Sequence, residues 1–378
     1  MKLRALVVDD SIIFRMAIAD ALAALPDIEV VGTASNGKIA LKKIRELAPD
    51  IVTLDMEMPE MDGLTVLNDL RETGSNASVI VLSALTSRGG KLTMQALEKG
   101  AFDFITKPET SNAEESRKAI QRELEPMLRA LACRLEIRTI LRKKTPAAAP
   151  AAAPAAAPVA QAPATVPPAA GGDSVEQRMN QLAARTKPEI ALIGVSTGGP
   201  NALLKLLPGI PANIGVPLLI VHHMPPLFTQ SLAESLAPKC AINVREAVNG
   251  EVALAGTAYL APGGRHMRLA PGPAGEKIIQ ITDDPPENNC RPAVDYLFRS
   301  VAANFPGRAA AVILTGMGND GTLGLRLLKR GGCYVIAQDE ATCVVYGMPK
   351  AAVEAGVTDE VLPLEAIAAR LMAAVRRI

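Results

Sequence analysis

At 378 residues the chain is long enough for two or three domains, each with its own core. Its 40 basic and 39 acidic residues leave a formal charge of +1, so the excess of Lys and Arg with which a nucleic-acid binder meets phosphates is missing. The five cysteines, Cys133, Cys240, Cys290, Cys333 and Cys343, are scattered without a CxxC spacing and read as free thiols; with no export signal and no run near the roughly 18 uninterrupted apolar residues of a membrane helix, the expectation is a cytoplasmic protein with no direct membrane insertion.

In chain order, short apolar runs at Ala5–Val8, Val30–Ala34, Ile51–Leu54, Val79–Leu82 and Phe102–Ile105 predict strands, with helical spacing between them. Strands alternating with helices imply a parallel sheet covered on both faces, whose ligand site lies beyond the carboxyl ends of the strands. There the sequence places Asp9 and Asp10 after the first strand, Asp55 after the third, Ser83 after the fourth and Lys107 after the fifth. Any one aspartate at a strand end could simply cap the next helix. Three carboxylates together suit a hard divalent cation such as Mg²⁺, and Lys107 and Ser83 would meet phosphoryl oxygens while Asp55 attacks phosphorus. LVVDDS, LDMEMPEMDG, VLSALTS and AFDFITKP resemble the receiver domains of two-component response regulators over about residues 1–125. The resemblance implies phosphorylation of Asp55 by a histidine kinase, Mg²⁺ on Asp9, Asp10, Asp55 and the backbone carbonyl of Glu57, an aromatic switch at Phe104 and a cis Lys107–Pro108 bond.

Ser116–Lys144 has helical spacing interrupted at Pro126, and residues 145–172, TPAAAPAAAPAAAPVAQAPATVPPAAGG, are too rich in proline and small side chains for a helix or a core. This segment is read as a semi-rigid spacer, extended at about 3.1 Å per residue. Beyond it, Ile190–Val195, Pro217–Val221, Ala310–Leu314 and Tyr334–Ala337 predict buried strands of a second doubly wound domain.

Gly194-Val195-Ser196-Thr197-Gly198 fits G-x-S-x-G and sets Ser196 on a strand-to-helix turn, where helix N–H groups would stabilise an oxyanion. A helix cap is the plainer reading of the same serine. A base is needed, and of three histidines His222 and His223 end a strand while His266 lies in a Gly-Gly turn. Adjacent strand residues point oppositely, so one of the pair at most faces Ser196. Asp320, in GMGNDG after the strand Ala310–Leu314, could orient a histidine; the same segment fits the dinucleotide pattern G-x-G-x-x-G with Asp339 downstream, which leaves an NAD-dependent redox enzyme as a rival. A non-catalytic, phosphorylation-dependent binding protein is a second rival.

IGVSTGGP, HHMPPLFT, APGGRHM and ILTGMGNDGTLG together resemble the chemotaxis protein-glutamate methylesterases. The implied fold class is α/β, two doubly wound parallel-sheet domains joined by an Ala/Pro-rich linker: a flavodoxin-like receiver over 1–125, a linker over 126–186, partly helical then Ala/Pro-rich, and a Rossmann-like esterase domain over 187–378. The resemblance implies a carboxylic ester hydrolase with Ser196, His223 and Asp320 as its triad and oxyanion support from Thr197 and Met317. It implies demethylation of glutamates and deamidation of glutamines on chemoreceptor cytoplasmic helices, with no cofactor for ester hydrolysis. It also implies an unphosphorylated receiver docked over the active-site entrance.

Overall fold

The computed structural model describes residues 2–108, 112–144 and 186–376. Five parallel strands open the chain, β1 (Leu3–Val8), β2 (Ile28–Ala34), β3 (Ile51–Asp55), β4 (Ser78–Ser83) and β5 (Asp103–Thr106), ordered β2-β1-β3-β4-β5. Helices α1 (Ile12–Ala23), α2 (Gly37–Leu47), α3 (Gly63–Glu72), α4 (Ser87–Glu98) and α5 (Ala113–Lys144) connect and follow them. Local chemistry sets several starts: Asn36, Asp62 and Thr86 accept from Ile39, Thr65 and Gly89 N–H at the heads of α2, α3 and α4. Strand β3 is buried at every residue, as a strand covered on both faces must be.

The interruption expected at Pro126 does not occur, because α5 runs through it. A proline inside a helix removes one backbone hydrogen bond. Buried Ile120, Leu124, Leu128 and Leu131 anchor the helix on both sides of it and outweigh that loss. The Ala/Pro-rich spacer lies outside the described residues. A second correction concerns the peptide before Pro108: among the described residues the cis X–Pro bond is Arg291–Pro292, not Lys107–Pro108. The trans form is the intrinsically favoured one, and Lys107 reaches the carboxylates of the first domain with it.

The second sheet contains β6 (Ile190–Val195), β7 (Leu218–His222), β8 (Asn243–Glu246) and β9 (Thr257–Leu260). An antiparallel ribbon follows, β10 (His266–Pro271) with β11 (Lys277–Thr282), and then the sheet resumes with β12 (Ala309–Ile313), β13 (Tyr334–Gln338) and β14 (Glu360–Leu362). The helices here are α6 (Gly199–Leu206), α7 (Phe228–Leu236), α8 (Val294–Asn304), α9 (Thr322–Arg330), α10 (Met348–Glu354) and α11 (Leu364–Arg376). Seven strands pair in parallel in the order β14-β13-β12-β6-β7-β9-β8. The chain builds outward from β6 on one side and returns to build from β12 on the other, so the crevice between β6 and β12 is the switch point where an open α/β sheet binds ligands.

The two sheets belong to one compact unit. Phe104 of β5 stacks on Phe228 of α7 with centroids 4.9 Å apart, and a continuous cluster of buried apolar side chains runs through this pair from Leu54 and Val81 to Leu232 and Leu203. Such a stack contributes about 0.5–1.5 kcal/mol beyond its buried area. Polar contacts frame it: Ser235 Oγ and Lys239 Nζ reach Glu98 Oε1 at 2.5 and 2.6 Å, and Asn201 Nδ2 donates to Ala101 O at 3.0 Å.

Helices α8 and α9 pack through Gly324, where an added Cβ would stand 2.4 Å from Phe298 Cβ and 3.3 Å from Asp295 Oδ1. Gly324→Ala is expected to destabilise the second domain by about 1–3 kcal/mol, the usual cost of overpacking. A lowered thermal midpoint measures it, and an unchanged midpoint would show that this contact relaxes freely.

Candidate active site

Ser196 leaves the end of β6 on a turn closed by Gly199 N donating to Ser196 O at 2.7 Å, while Ser196 N is pinned to Thr315 O at 3.0 Å. Gly198 in that turn has φ +76°, and a Cβ there would come within 2.4 Å of Val344 Cβ, so the turn requires glycine on two counts. Of the two adjacent histidines only His223 faces the serine: its Nδ1 lies 3.1 Å from Ser196 Oγ, and its Nε2 lies 2.7 Å from Asp320 Oδ2. In the neutral ring with Nε2–H donating to Asp320, Nδ1 is free to accept the serine proton. His222 is buried against Gly199 of the serine turn without a hydrogen bond to Ser196, and burial and the neighbouring His223 push its pKa down to about 3 and keep it neutral.

Asp320 follows β12. Its Oδ2 accepts from His223 and from Val294 N at 2.6 Å; its Oδ1 accepts from Asn288 Nδ2 at 2.8 Å and from Asp295 N and Gly321 N at 3.0 Å. Val294 and Asp295 open α8, so Asp320 caps that helix, and Asp295 Oδ1 in turn accepts from Gly324 N in the first turn of α9 at 2.7 Å. The carboxylate thus sits at a helix N-terminus, where negative charge is favoured. Burial alone would raise its pKa, but His223 and the Val294 and Asp295 N–H groups outweigh burial and hold it well below the usual value. Burial likewise works against charge on His223; the hydrogen bond to Asp320 and the neighbouring Cys290 thiol outweigh it and push the pKa up to about 9.

In GMGNDG the first and last glycines are tightly packed: a Cβ on Gly316 would lie 2.8 Å from Ser196 Cβ and 2.4 Å from Met348 Sδ, and one on Gly321 2.8 Å from Val294 Cγ1, while Gly318 borders the cleft with nothing within 4 Å. Asp339 is spent on the N–H and hydroxyl of Thr342 at 3.0 and 2.6 Å. His266 is also structural: it begins β10, fully buried, with Nε2 3.0 Å from Pro285 O and its ring stacked on Tyr296. Thr197 and Met317 both border the cleft beside Ser196, and their backbone N–H groups make no protein hydrogen bond among the described residues.

At the other sheet's rim, Lys107 Nζ lies 2.7 Å from Asp55 Oδ2 and 2.9 Å from Asp9 Oδ2. Carboxylate oxygens of Asp9, Asp10 and Asp55 all fall within 4.8 Å of one another, and buried Asp9 Oδ2 has no hydrogen bond of good geometry. Burial raises the pKa of Asp9, and that of Asp55 to about 6, against the pull of Lys107. An under-satisfied cluster of hard oxygens fits a small divalent cation. Ser83 is buried at the end of β4, and Glu57 follows Asp55 with its N–H donating to Asp55 Oδ1 at 3.2 Å. Phe104 faces the other domain rather than its own pocket.

Between the domains lies a cleft of about 740 Å³ that holds Ser196, His223 and Asp320 and is walled on the receiver side by Asp103, Phe104, Pro126 and Met127. Asp103, fully buried, accepts from Gly198 N–H at 2.8 Å, so a carboxylate of the first domain touches the serine turn of the second. The sequence reading missed Asp103, Asn288, Asp295 and Phe228. Asp103 stands inside AFDFITKP, but nothing local to that motif says that it meets another domain.

A five-stranded parallel sheet with an acidic cluster and a lysine at its rim, seated on a parallel α/β domain with a Ser–His–Asp array, is the arrangement of a response regulator whose output domain is a hydrolase. Family comparisons agree: the family described as CheB methylesterase matches residues 191–371, and the response regulator receiver domain matches residues 5–121. A protein-glutamate methylesterase/protein-glutamine glutaminase of Desulfotalea psychrophila is 48% identical over 99% of both chains. Relatives so named from Koribacter versatilis and Bacillus subtilis are 42% and 40% identical, covering 98% and 99% of this chain and 95% and 99% of theirs. The chain belongs to this methylesterase/glutaminase family. The redox enzyme and the non-catalytic binding protein are both set aside by that membership.

Because its folded pKa is raised, His223 contributes stability that is fully present below about pH 6.5 and lost as pH rises through about 9. In melting curves, His223→Gln should therefore fall furthest below wild type in acid and approach it above pH 9; a gap independent of pH would contradict the buried ion pair.

Proposed function

We propose that Ser196, His223 and Asp320 are the residues by which this chain hydrolyses methyl esters of glutamate side chains on chemoreceptor cytoplasmic helices, and deamidates receptor glutamines. The observation that carries the reading is the unbroken contact from Ser196 Oγ through His223 to Asp320 at 3.1 and 2.7 Å. In the deprotonated fraction of His223, which grows as pH approaches about 9, Ser196 Oγ attacks the ester carbonyl as Nδ1 takes its proton, with Asp320 holding the tautomer and stabilising the imidazolium. The Thr197 and Met317 N–H groups receive the tetrahedral oxyanion. Collapse breaks the C–O bond, His223 returns the proton to leaving methanol, and water then releases the glutamate from Ser196 by the same route. With a glutamine substrate the leaving group is ammonia.

We take residues 1–125 as the receiver, 126–186 as linker and 187–378 as the esterase domain. Asp55 is the phosphoacceptor for a histidine kinase, with Lys107 and Ser83 meeting the phosphoryl oxygens and Phe104 carrying the change to the interface. Asp9, Asp10, Asp55 and the Glu57 carbonyl would hold Mg²⁺, which when bound neutralises charge on the phosphoryl group. Phosphorylation adds charge beside β5 and weakens the Phe104–Phe228 packing, which opens the cleft. No helix among the described residues is long and apolar enough to cross a membrane. On our reading the protein works in the cytoplasm, where the receptor helices that are its substrate lie.

Ser196→Ala should abolish methanol release from methylated receptor, and turnover by that variant at the wild-type rate would discard the nucleophile assignment. A small phosphodonor with Mg²⁺ should raise the esterase rate of wild type and leave Asp55→Asn unchanged. Equal stimulation of both would move phosphorylation control elsewhere.

A further inference from the structure

Resting on the reading of Ser196, His223 and Asp320 as the catalytic array, we propose that Asn288 is a positioning residue that keeps Asp320 aligned and anionic by bridging it to a second buried carboxylate, Asp295. The Asn288 side-chain nitrogen donates to Asp320 Oδ1 at 2.8 Å and to Asp295 Oδ2 at 3.0 Å. Both acceptors are carboxylates, which fixes the nitrogen end of the amide towards them. Two carboxylates brought this close either repel or share a proton. An uncharged group with two N–H donors gives each an oxygen partner without neutralising either.

The loop is built to present that amide. Asn288 and Asn289 have φ +53° and +60°, a left-handed conformation that asparagine tolerates better than most side chains. Glu287 and Cys290 close the loop with paired backbone hydrogen bonds at 3.1 and 2.9 Å, and Arg299 anchors Glu287 at 2.5 and 2.8 Å. Asp295, the second carboxylate, lies in the first turn of α8 and is itself held by Gly324 N–H, so Asn288 is tied to the starts of α8 and α9 beside Asp320. The other charged or titratable groups around the imidazole are Cys290 and Arg291 on this loop, His222 on β7, and, across the cleft, Asp103 of β5 with Arg122 and Glu123 of α5. None of these is hydrogen-bonded to Asp320 among the described residues, so Asn288 is the side chain besides His223 that sets its state.

The test is the pH profile of kcat/KM for methanol release from methylated chemoreceptor, using the full chain with saturating small phosphodonor and Mg²⁺. Asn288→Gly removes the amide while keeping the left-handed loop accessible, and Asn288→Asp keeps the shape while exchanging the donor for a charge. Loss of a hydrogen bond to a charged group predicts a fall in kcat/KM of about 10- to 100-fold for Asn288→Gly. Its acid limb should shift to lower pH, because Asp295 and Asp320 can then share a proton and the imidazolium loses negative charge beside it. In Asn288→Asp the added carboxylate should shift the limb to higher pH. A residue that only shapes the loop would lower the rate without moving either limb, and limbs coincident with wild type while Ser196→Ala is silent would overturn the proposal. Turnover by Ser196→Ala would instead overturn the array on which it rests. Should Asn288→Gly fail to fold, the profile of the isosteric Asn288→Asp decides.

Discussion

The carboxylate of Asp320 is buried and charged, and the site is organised around meeting that requirement. Five donors converge on its two oxygens, one from His223, one from Asn288 and three from backbone N–H groups of Val294, Asp295 and Gly321. A buried ion without such partners would take up a proton instead. Three of the five donors are main-chain groups at helix starts or turns, so the geometry of α8 and α9 is inseparable from the ionisation of Asp320. The imidazole inherits its orientation from there, and the serine inherits its base.

Because both helices begin at this point, stability and chemistry share the same bonds. Asp320 satisfies the orphan N–H groups of α8, and Asp295 on α8 satisfies one of α9. Close packing of the two helices at Gly324 brings these caps together. Asp320 thus caps α8 with the same carboxylate that holds the His223 imidazole.

The receiver meets the same site from the other side. Its fifth strand contributes Asp103 to the serine turn and Phe104 to a stack on α7, while its phosphoacceptor pocket draws Lys107 from just beyond the end of that strand. One short strand thus ends beside the cluster of Asp9, Asp55 and Lys107 and lies against the second domain at its face, the contacts through which the proposed phosphorylation of Asp55 would reach the cleft.

Much of this was legible in residue order. Apolar runs located β1 to β7, apart from β2's first residues and small shifts at the ends, and β12 and β13, because most of these strands are buried on both faces and so continuously apolar, the half-exposed edge strand β2 being the exception. The strand-end residues Asp55, Lys107, Ser196, His223 and Asp320 stand where a parallel sheet gathers its ligand groups. The short edge strands β8 and β14, the ribbon β10–β11 and β9 were not read, since a four-residue edge strand such as Asn243–Glu246 carries too little pattern to separate from a loop. Which of His222 and His223 serves Ser196 depended on the way each side chain leaves β7, and the partnerships of Asn288 with Asp320 and of Asp103 with Gly198 join residues 32 and 95 positions apart. Local sequence determines strand ends, turns and residue types; contacts between distant segments are decided by how helices and sheets pack, because only that packing sets which buried polar groups find one another.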